Sequence, residues 1–75
     1  MSPEHLVAKV FGLPPGQVTD ATSNQDTPEW DSLGHVTLIM ELEGHYGVSL
    51  STEEALALTS VGTLKRALTE RGIVW

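Results

Sequence analysis

The chain has 75 residues, no cysteine, 40% hydrophobic residues and a formal net charge of -6 at neutral pH. That length allows one small domain with a modest core, and without a disulfide the expected solution is a compact all-α bundle. No apolar run is long enough to span a bilayer, no charged-then-apolar signal layout opens the chain, and an acidic balance of this size would repel nucleic acid.

The first element expected is a helix from Pro3 to about Phe11. Ser2 is its N-cap, Pro3 stands where a helix tolerates proline best, and Gly12 can adopt the left-handed conformation that ends it. Leu6, Val7, Val10 and Phe11 recur at helical spacing, so this helix faces a core. From Gly12 to Asp31 follows a connection of about twenty residues rich in Pro, Gly, Thr, Asp and Asn, with one short helical turn expected near Pro14 to Val18. Trp30 closes it, either packing the loop onto the bundle or standing partly exposed. Packing is the more frequent fate of a lone tryptophan.

A second helix is expected from Ser32 to Tyr46. At 100° per residue, Leu38, Ile39, Leu42 and Tyr46 fall within one arc about 100° wide, which is a core stripe. Leu33, Val36 and Met40 form a second apolar stripe centred roughly 140° away. A helix in a small bundle needs only one buried face. Leu33, Val36 and Met40 then either form a contact surface for other proteins, with Glu41 and Glu43 near it, or pack on a short neighbouring helix. His35 falls close to the core stripe and is expected to be partly buried and hydrogen-bonded.

Gly47 ends this helix, and Val48 and Leu50 of the next connection can point inward. Ser51 and Glu54 read as a capping box that opens a short third helix carrying Ala55, Leu56 and Leu58. One to two turns of helix are marginal alone, so this element is expected to be mobile. A fourth helix starts with Ser60 as N-cap and runs to about Arg71, with Val61, Leu64, Ala67 and Leu68 on its apolar stripe and Gly72 ending it. Ile73 is expected to close over that end. Lys65, Arg66 and Arg71 lie toward its C-terminal half, where cations suit the helix dipole. No Lys or Arg occurs between Lys9 and Lys65, whereas Asp20, Asp26, Glu29, Asp31, Glu41, Glu43, Glu53 and Glu54 all lie in that interval. The middle of the chain is therefore an acidic surface, which either steers in a partner with a basic patch or serves only to keep a small protein soluble.

Ser32 is the residue around which a function can be argued. It stands where a long polar loop becomes a helix, so its hydroxyl should be exposed beside unpaired N–H groups, and the positive end of the helix dipole favours an anion there. A phosphodiester on the serine oxygen would suit that position. Hydrolysis is not supported: a serine three residues before a histidine lacks the Gly-x-Ser-x-Gly elbow and any evident oxyanion hole. His5, His35 and His45 are too scattered to bind zinc on one helix face, so neither catalytic nor metal-ligating residues are assigned.

At Asp31-Ser32-Leu33 the chain resembles the acyl and peptidyl carrier proteins, whose serine in this triplet carries a 4'-phosphopantetheine arm. The resemblance continues through Leu38, Ile39, Leu42, Glu43 and Tyr46, through Gly47-Val48-Ser49-Leu50, and through Glu53-Glu54-Ala55 to Ser60-Val61-Gly62-Thr63-Leu64. It covers nearly the whole chain, from the first helix to about Leu68. It implies a four-helix bundle with a long first loop, under which Leu13 and Val18 tuck, and a short third helix bordering the cavity that can shelter an attached chain. It implies that the Ser32 hydroxyl attacks the pyrophosphate of coenzyme A with the help of a separate phosphopantetheinyl transferase, and that the arm's thiol then holds acyl groups as thioesters. It also makes the second helix the recognition helix, with Asp31, Leu33, Val36, Met40, Glu41 and Glu43 as the partner-facing set.

Fatty-acid carriers typically have aspartate after this triplet and a richer acidic run along the second helix. Here Gly34 takes that place, with Thr37, Gly44 and His45 further on. The peptidyl carriers of large synthetases usually show Gly-Gly-His or Gly-Gly-Asp before the serine, which this chain lacks. The expectation is a single carrier domain over residues 1–75, a free-standing cytoplasmic monomer in a polyketide or other specialised pathway. Two alternatives remain open: a carrier of aminoacyl or hydroxyacyl groups loaded by a stand-alone adenylating enzyme, and a helical interaction module without an arm.

Overall fold

In a computed structural model that describes residues 2–75, the chain folds as four helices: α1 (Pro3–Phe11), α2 (Ser32–Tyr46), α3 (Thr52–Ala57) and α4 (Val61–Glu70). Met1 lies outside the described residues. No strand is assigned among the described residues, so the all-α four-helix arrangement expected from the sequence is the one observed. None of these helices is long and apolar enough to cross a membrane.

The helix ends are set by the residues that the sequence nominates. Ser2 accepts the amide of His5 at the start of α1. Ser51 and Glu54 exchange side-chain and backbone bonds in a complete capping box on α3, and Ser60 with Thr63 does the same on α4. At the other ends Gly12, Gly47 and Gly72 have φ of 66°, 66° and 75°, a region that residues with a Cβ rarely enter. Around Gly72 the amide of Ile73 reaches Leu68 O at 2.9 Å and that of Gly72 reaches Thr69 O at 3.0 Å, the paired closure of a Schellman motif. Ile73 is thereby folded back and half-buried against the end of the bundle.

The core forms where the apolar stripes meet. Leu6, Val7, Ala8 and Phe11 of α1, Leu38 and Leu42 of α2, and Val61, Leu64 and Leu68 of α4 are all buried, and α1 packs on both α2 and α4. α3 contributes no fully buried residue; Leu58, just beyond its end, does. The expected mobility of α3 meets anchors that only the folded chain reveals. Glu54 pairs with Arg71, Leu50 N–H in the preceding connection donates to Glu43 Oε2 at 2.8 Å, and His35 Nε2 bonds Ala55 O at 2.7 Å.

The long loop is also fixed by bonds that spacing could not predict. Its only helical piece is a short 3-10 turn, Pro15–Gln17, and beyond it the chain is laced to the start of α4. Asp20 O and Thr22 O accept the amides of Gly62 and Val61, two of the donors that a helix N-terminus leaves free, and Asn24 N–H donates to Thr59 O, each at 3.0 Å. Val18 is buried and Leu13 half-buried beneath the loop. Lys65 completes the attachment by joining Glu4 of α1 (3.0 Å) and Asp20 of the loop (2.6 Å). Lys65 and Arg71 thus tie α4 to other elements, a role more specific than the dipole compensation expected of them.

Candidate functional site

The site is built at the junction of the loop and α2. Asp31 is the N-cap, in extended conformation, with its carboxylate accepting Gly34 N–H at 2.8 Å and its carbonyl accepting His35 N–H at 2.8 Å. Ser32 follows as the first helical residue and its side chain is exposed. The amides of Ser32 and Leu33 precede His35 N–H, the first i to i−4 donor of α2, so they remain directed out of the helix N-terminus beside the hydroxyl. Capping by Asp31 is a role not assigned from the sequence, where the residue was read only as partner-facing.

Behind the serine the loop is held by an aromatic stack. Trp30 is 3% exposed, which settles its ambiguity in favour of packing, and its ring lies on Phe11 with centroids 5.2 Å apart and 28° between planes. Its Nε1–H donates to His35 Nδ1 at 3.0 Å. His35 is half-buried and bonded at both ring nitrogens, as its angular position predicts. Gly34 permits this arrangement. A Cβ there would lie 2.4 Å from Glu29 O and 2.9 Å from Phe11 Cε1, so the loop backbone crosses where a side chain would stand.

An open cleft of about 480 Å³ runs from this junction toward α3. Asp31, Ser32 and Val36 form one side of it, Leu56 and Thr59 the other, and Trp30 and His35 lie at its base. The hydroxyl of Ser32 therefore faces a space with both apolar and hydrogen-bonding walls.

Of the expected contact residues, Leu33, Val36 and Met40 are 77%, 55% and 66% exposed, and Asp31 and Glu41 are exposed as well. Glu43 differs. It is half-buried and its carboxylate is engaged by Leu50 N–H, because at its angle on α2 it faces the α2–α3 connection. Leu56, 68% exposed, was not singled out from the sequence and extends the apolar surface from α2 onto α3. The signal was present: with Leu58 turned inward, a helical count places Leu56 about 160° away, on the outer side. Among the described residues no group of three or more His, Cys, Asp or Glu is placed to hold a metal ion.

A small helical bundle that presents one serine hydroxyl at the start of its longest helix, beside an open cleft, has the form of a covalent-attachment domain. A family model described as the phosphopantetheine attachment site matches residues 4–68. The chain belongs to this phosphopantetheine-binding carrier family. It is 38% identical over 58 residues to an acyl carrier protein of Rubrobacter xylanophilus, a match covering 77% of this chain and 72% of that protein. It is 33% identical over 57 residues to meromycolate extension acyl carrier proteins of Mycolicibacterium aurum and Mycolicibacterium smegmatis, covering 76% of this chain but only 59% and 58% of theirs.

The protein is an acyl carrier whose prosthetic group is covalently attached 4'-phosphopantetheine. The residues present fit that group: the hydroxyl is exposed, helix amides beside it suit a phosphodiester, and the adjoining cleft offers apolar and polar walls to the arm. As a member of this family the chain interacts with a phosphopantetheinyl transferase and with acyl-processing enzymes.

Proposed function

We propose that Ser32 is the attachment residue and that the chain, a single carrier domain over residues 1–75, presents acyl intermediates of a specialised pathway such as polyketide assembly. The observation that carries this reading is the exposed Ser32 hydroxyl as the first residue of α2, at the rim of the cleft, on a turn fixed by Asp31. When bound, the arm supplies a thiol on which acyl groups are held as thioesters. The chain's residues do the rest by position. Asp31 holds the first turn of α2, the N-terminal amides of α2 favour a phosphodiester at the serine oxygen, and the rigid bundle keeps the tethered group at high effective concentration near a docked enzyme. No bond is made or broken by the chain once it is loaded; separate enzymes modify, load and unload it.

Docking is assigned to the outer face of α2. Asp31, Leu33, Val36, Met40 and Glu41 are its partner-facing residues, joined by Leu56, while Glu43 serves the α2–α3 connection. Leu33, Val36 and Met40 give partners an apolar contact, and the acidic interval around them favours enzymes with basic docking patches. A monomer working in the cytoplasm, where the coenzyme A donor is available, fits this role. The specialised pathway is supported by the sparse acidic run on α2 and by the kind of relative matched, two of which are named for meromycolate extension.

The test is the intact mass of the chain after incubation with coenzyme A, magnesium and a broad-specificity phosphopantetheinyl transferase. The wild type gains one phosphopantetheine, and Ser32→Ala gains none while keeping its helical content and stability. Loading of Ser32→Ala would overturn the assignment of the site. Absence of any gain in the wild type would leave only an armless interaction module.

A further inference from the structure

The cleft beside Ser32 ends on a polar floor. Trp30 Nε1–H can only donate, so in its 3.0 Å bond with His35 the Nδ1 atom accepts, and the imidazole proton sits on Nε2. Nε2–H then donates to Ala55 O at 2.7 Å, a carbonyl that also takes Leu58 N–H. One neutral imidazole therefore joins the serine loop, α2 and α3. α3 is held on another flank by the Glu54–Arg71 pair, and the connection before it by Glu43. Beneath these ties Leu38, Leu42 and Leu64 are 0% exposed and Leu58 4%, so the interior is filled by the chain's own side chains.

An acyl chain extending from Ser32 reaches that interior by passing between α2 and α3, and His35 stands across the way. Parting the two helices breaks the His35–Ala55 bond, while Trp30 and His35, both on the α2 side, stay joined. An alkyl chain cannot accept from His35 Nε2–H, so this donor would be left unsatisfied in apolar surroundings, although Ala55 O keeps Leu58 N–H. A long chain inserted there would also displace packed leucines, which small helical cores resist.

We propose that this His35 latch keeps the tethered acyl group out of the bundle, and that the cargo is accordingly a short acyl group of a few carbons held in the open cleft between Trp30, Val36 and Leu56. The proposal rests on Ser32 carrying the arm. It makes His35 a specificity-determining residue, acting on cargo length through the closure of α3 and not through any reacting atom. Both ring nitrogens of His35 are engaged with good geometry.

The experiment loads the protein with acetyl- or octanoyl-phosphopantetheine, verifies loading by intact mass, and measures thioester cleavage by hydroxylamine, each rate divided by that of the same thioester on free pantetheine. In the wild type the two normalised rates should agree within about twofold, because a chain left in solvent needs no local opening to react. His35→Ala removes both bonds and should slow octanoyl cleavage several-fold while leaving acetyl unchanged. His35→Gln, whose amide offers one acceptor and one donor, should restore the wild-type pattern.

Protection of octanoyl by roughly tenfold in the wild type would overturn the proposal, since that is the behaviour of a chain shielded by the fold. Unprotected octanoyl in a folded His35→Ala would overturn the role given to His35. Should His35→Ala fail to fold, the wild-type comparison and His35→Gln decide. The mass measurement separates the two levels: a chain that gains no arm overturns the carrier reading and the proposal together, whereas a loaded chain that shelters octanoyl overturns the proposal alone.

Discussion

Two glycines of the same helix should respond to alanine with opposite signs. Gly34 and Gly44 both lie within α2, where alanine is favoured over glycine by up to about 1 kcal/mol. At Gly44 nothing lies within 4 Å of the added methyl, so Gly44→Ala should collect most of that gain, about 0.4–1 kcal/mol. At Gly34 the methyl would sit 2.4 Å from Glu29 O and 2.9 Å from Phe11 Cε1, against the 3.0 Å below which real Cβ contacts essentially never fall. The carbonyl cannot step aside alone, because the next residue, Trp30, is stacked on Phe11 and bonded to His35. Forced backbone shifts of this kind cost roughly 1–3 kcal/mol. Set against the propensity gain, Gly34→Ala should lose up to about 2 kcal/mol, or a fall in Tm of up to roughly 16 °C for a domain of this size. Urea denaturation followed by far-ultraviolet circular dichroism and tryptophan fluorescence measures both variants against the wild type. If Gly34→Ala proved as stable as Gly44→Ala, the loop would not be pressed on α2, and the account of the serine turn would fail with it.

Asp31→Ala removes the cap of α2 and should cost about 1 kcal/mol, whereas Asp31→Asn, which can still accept Gly34 N–H, should lose only a few tenths; equal losses in denaturation experiments would show that charge and not capping matters there. Lys65→Met should lower stability modestly at low salt and less as salt rises, because the ties to Glu4 and Asp20 are only partly shielded from solvent; a loss independent of salt would contradict the ionic reading. Acid should destabilise the fold in a defined window. The amide of Ser23 holds the Asp26 carboxyl below its ordinary value, and the amide of Ser51, assisted by the Ser51 hydroxyl and Arg71, does the same for Glu54. For depressed carboxylates the stabilisation is present above the unfolded-state pKa and is lost as pH falls through the folded one, so Tm should drop below about pH 4. The double variant Asp26→Asn, Glu54→Gln should flatten that drop, and an unchanged pH profile would refute the assignment.

The helices could be read from the chain because their signals are local. Caps at Ser2, Ser51 and Ser60 and stops at Gly12, Gly47 and Gly72 act over three or four residues, and the two stripes of α2 follow from helical pitch alone. The exposure of Leu33, Val36 and Met40 and the burial of Leu38 and Leu42 were legible for that reason. What escaped depends on partners distant in sequence. Lys65 meets Asp20 across 45 positions and His35 meets Ala55 across 20, and no periodicity carries such pairs. The engagement of Glu43 escaped for the same cause: its angle on α2 was known, but not that Leu50 N–H would come to stand opposite it.

Gly34 shows how a difference between sequences can be attributed to the wrong level. Standing where fatty-acid carriers typically have aspartate, it reads as a sign of different partners. In the folded chain no side chain fits there, because the loop that positions Ser32 passes over the first turn of α2 and Trp30 packs behind it. The glycine is thus a consequence of how this loop is seated, and it says nothing by itself about which enzymes dock. Information about partners must come from residues whose side chains reach solvent. On α2 these include Leu33, Val36, Met40 and Glu41, with Glu43 drawn inward. An enzyme meeting this face finds apolar contact flanked by the carboxylates of Asp31 and Glu41, so burial should hold the complex while the charges set the encounter rate, which should fall as salt rises.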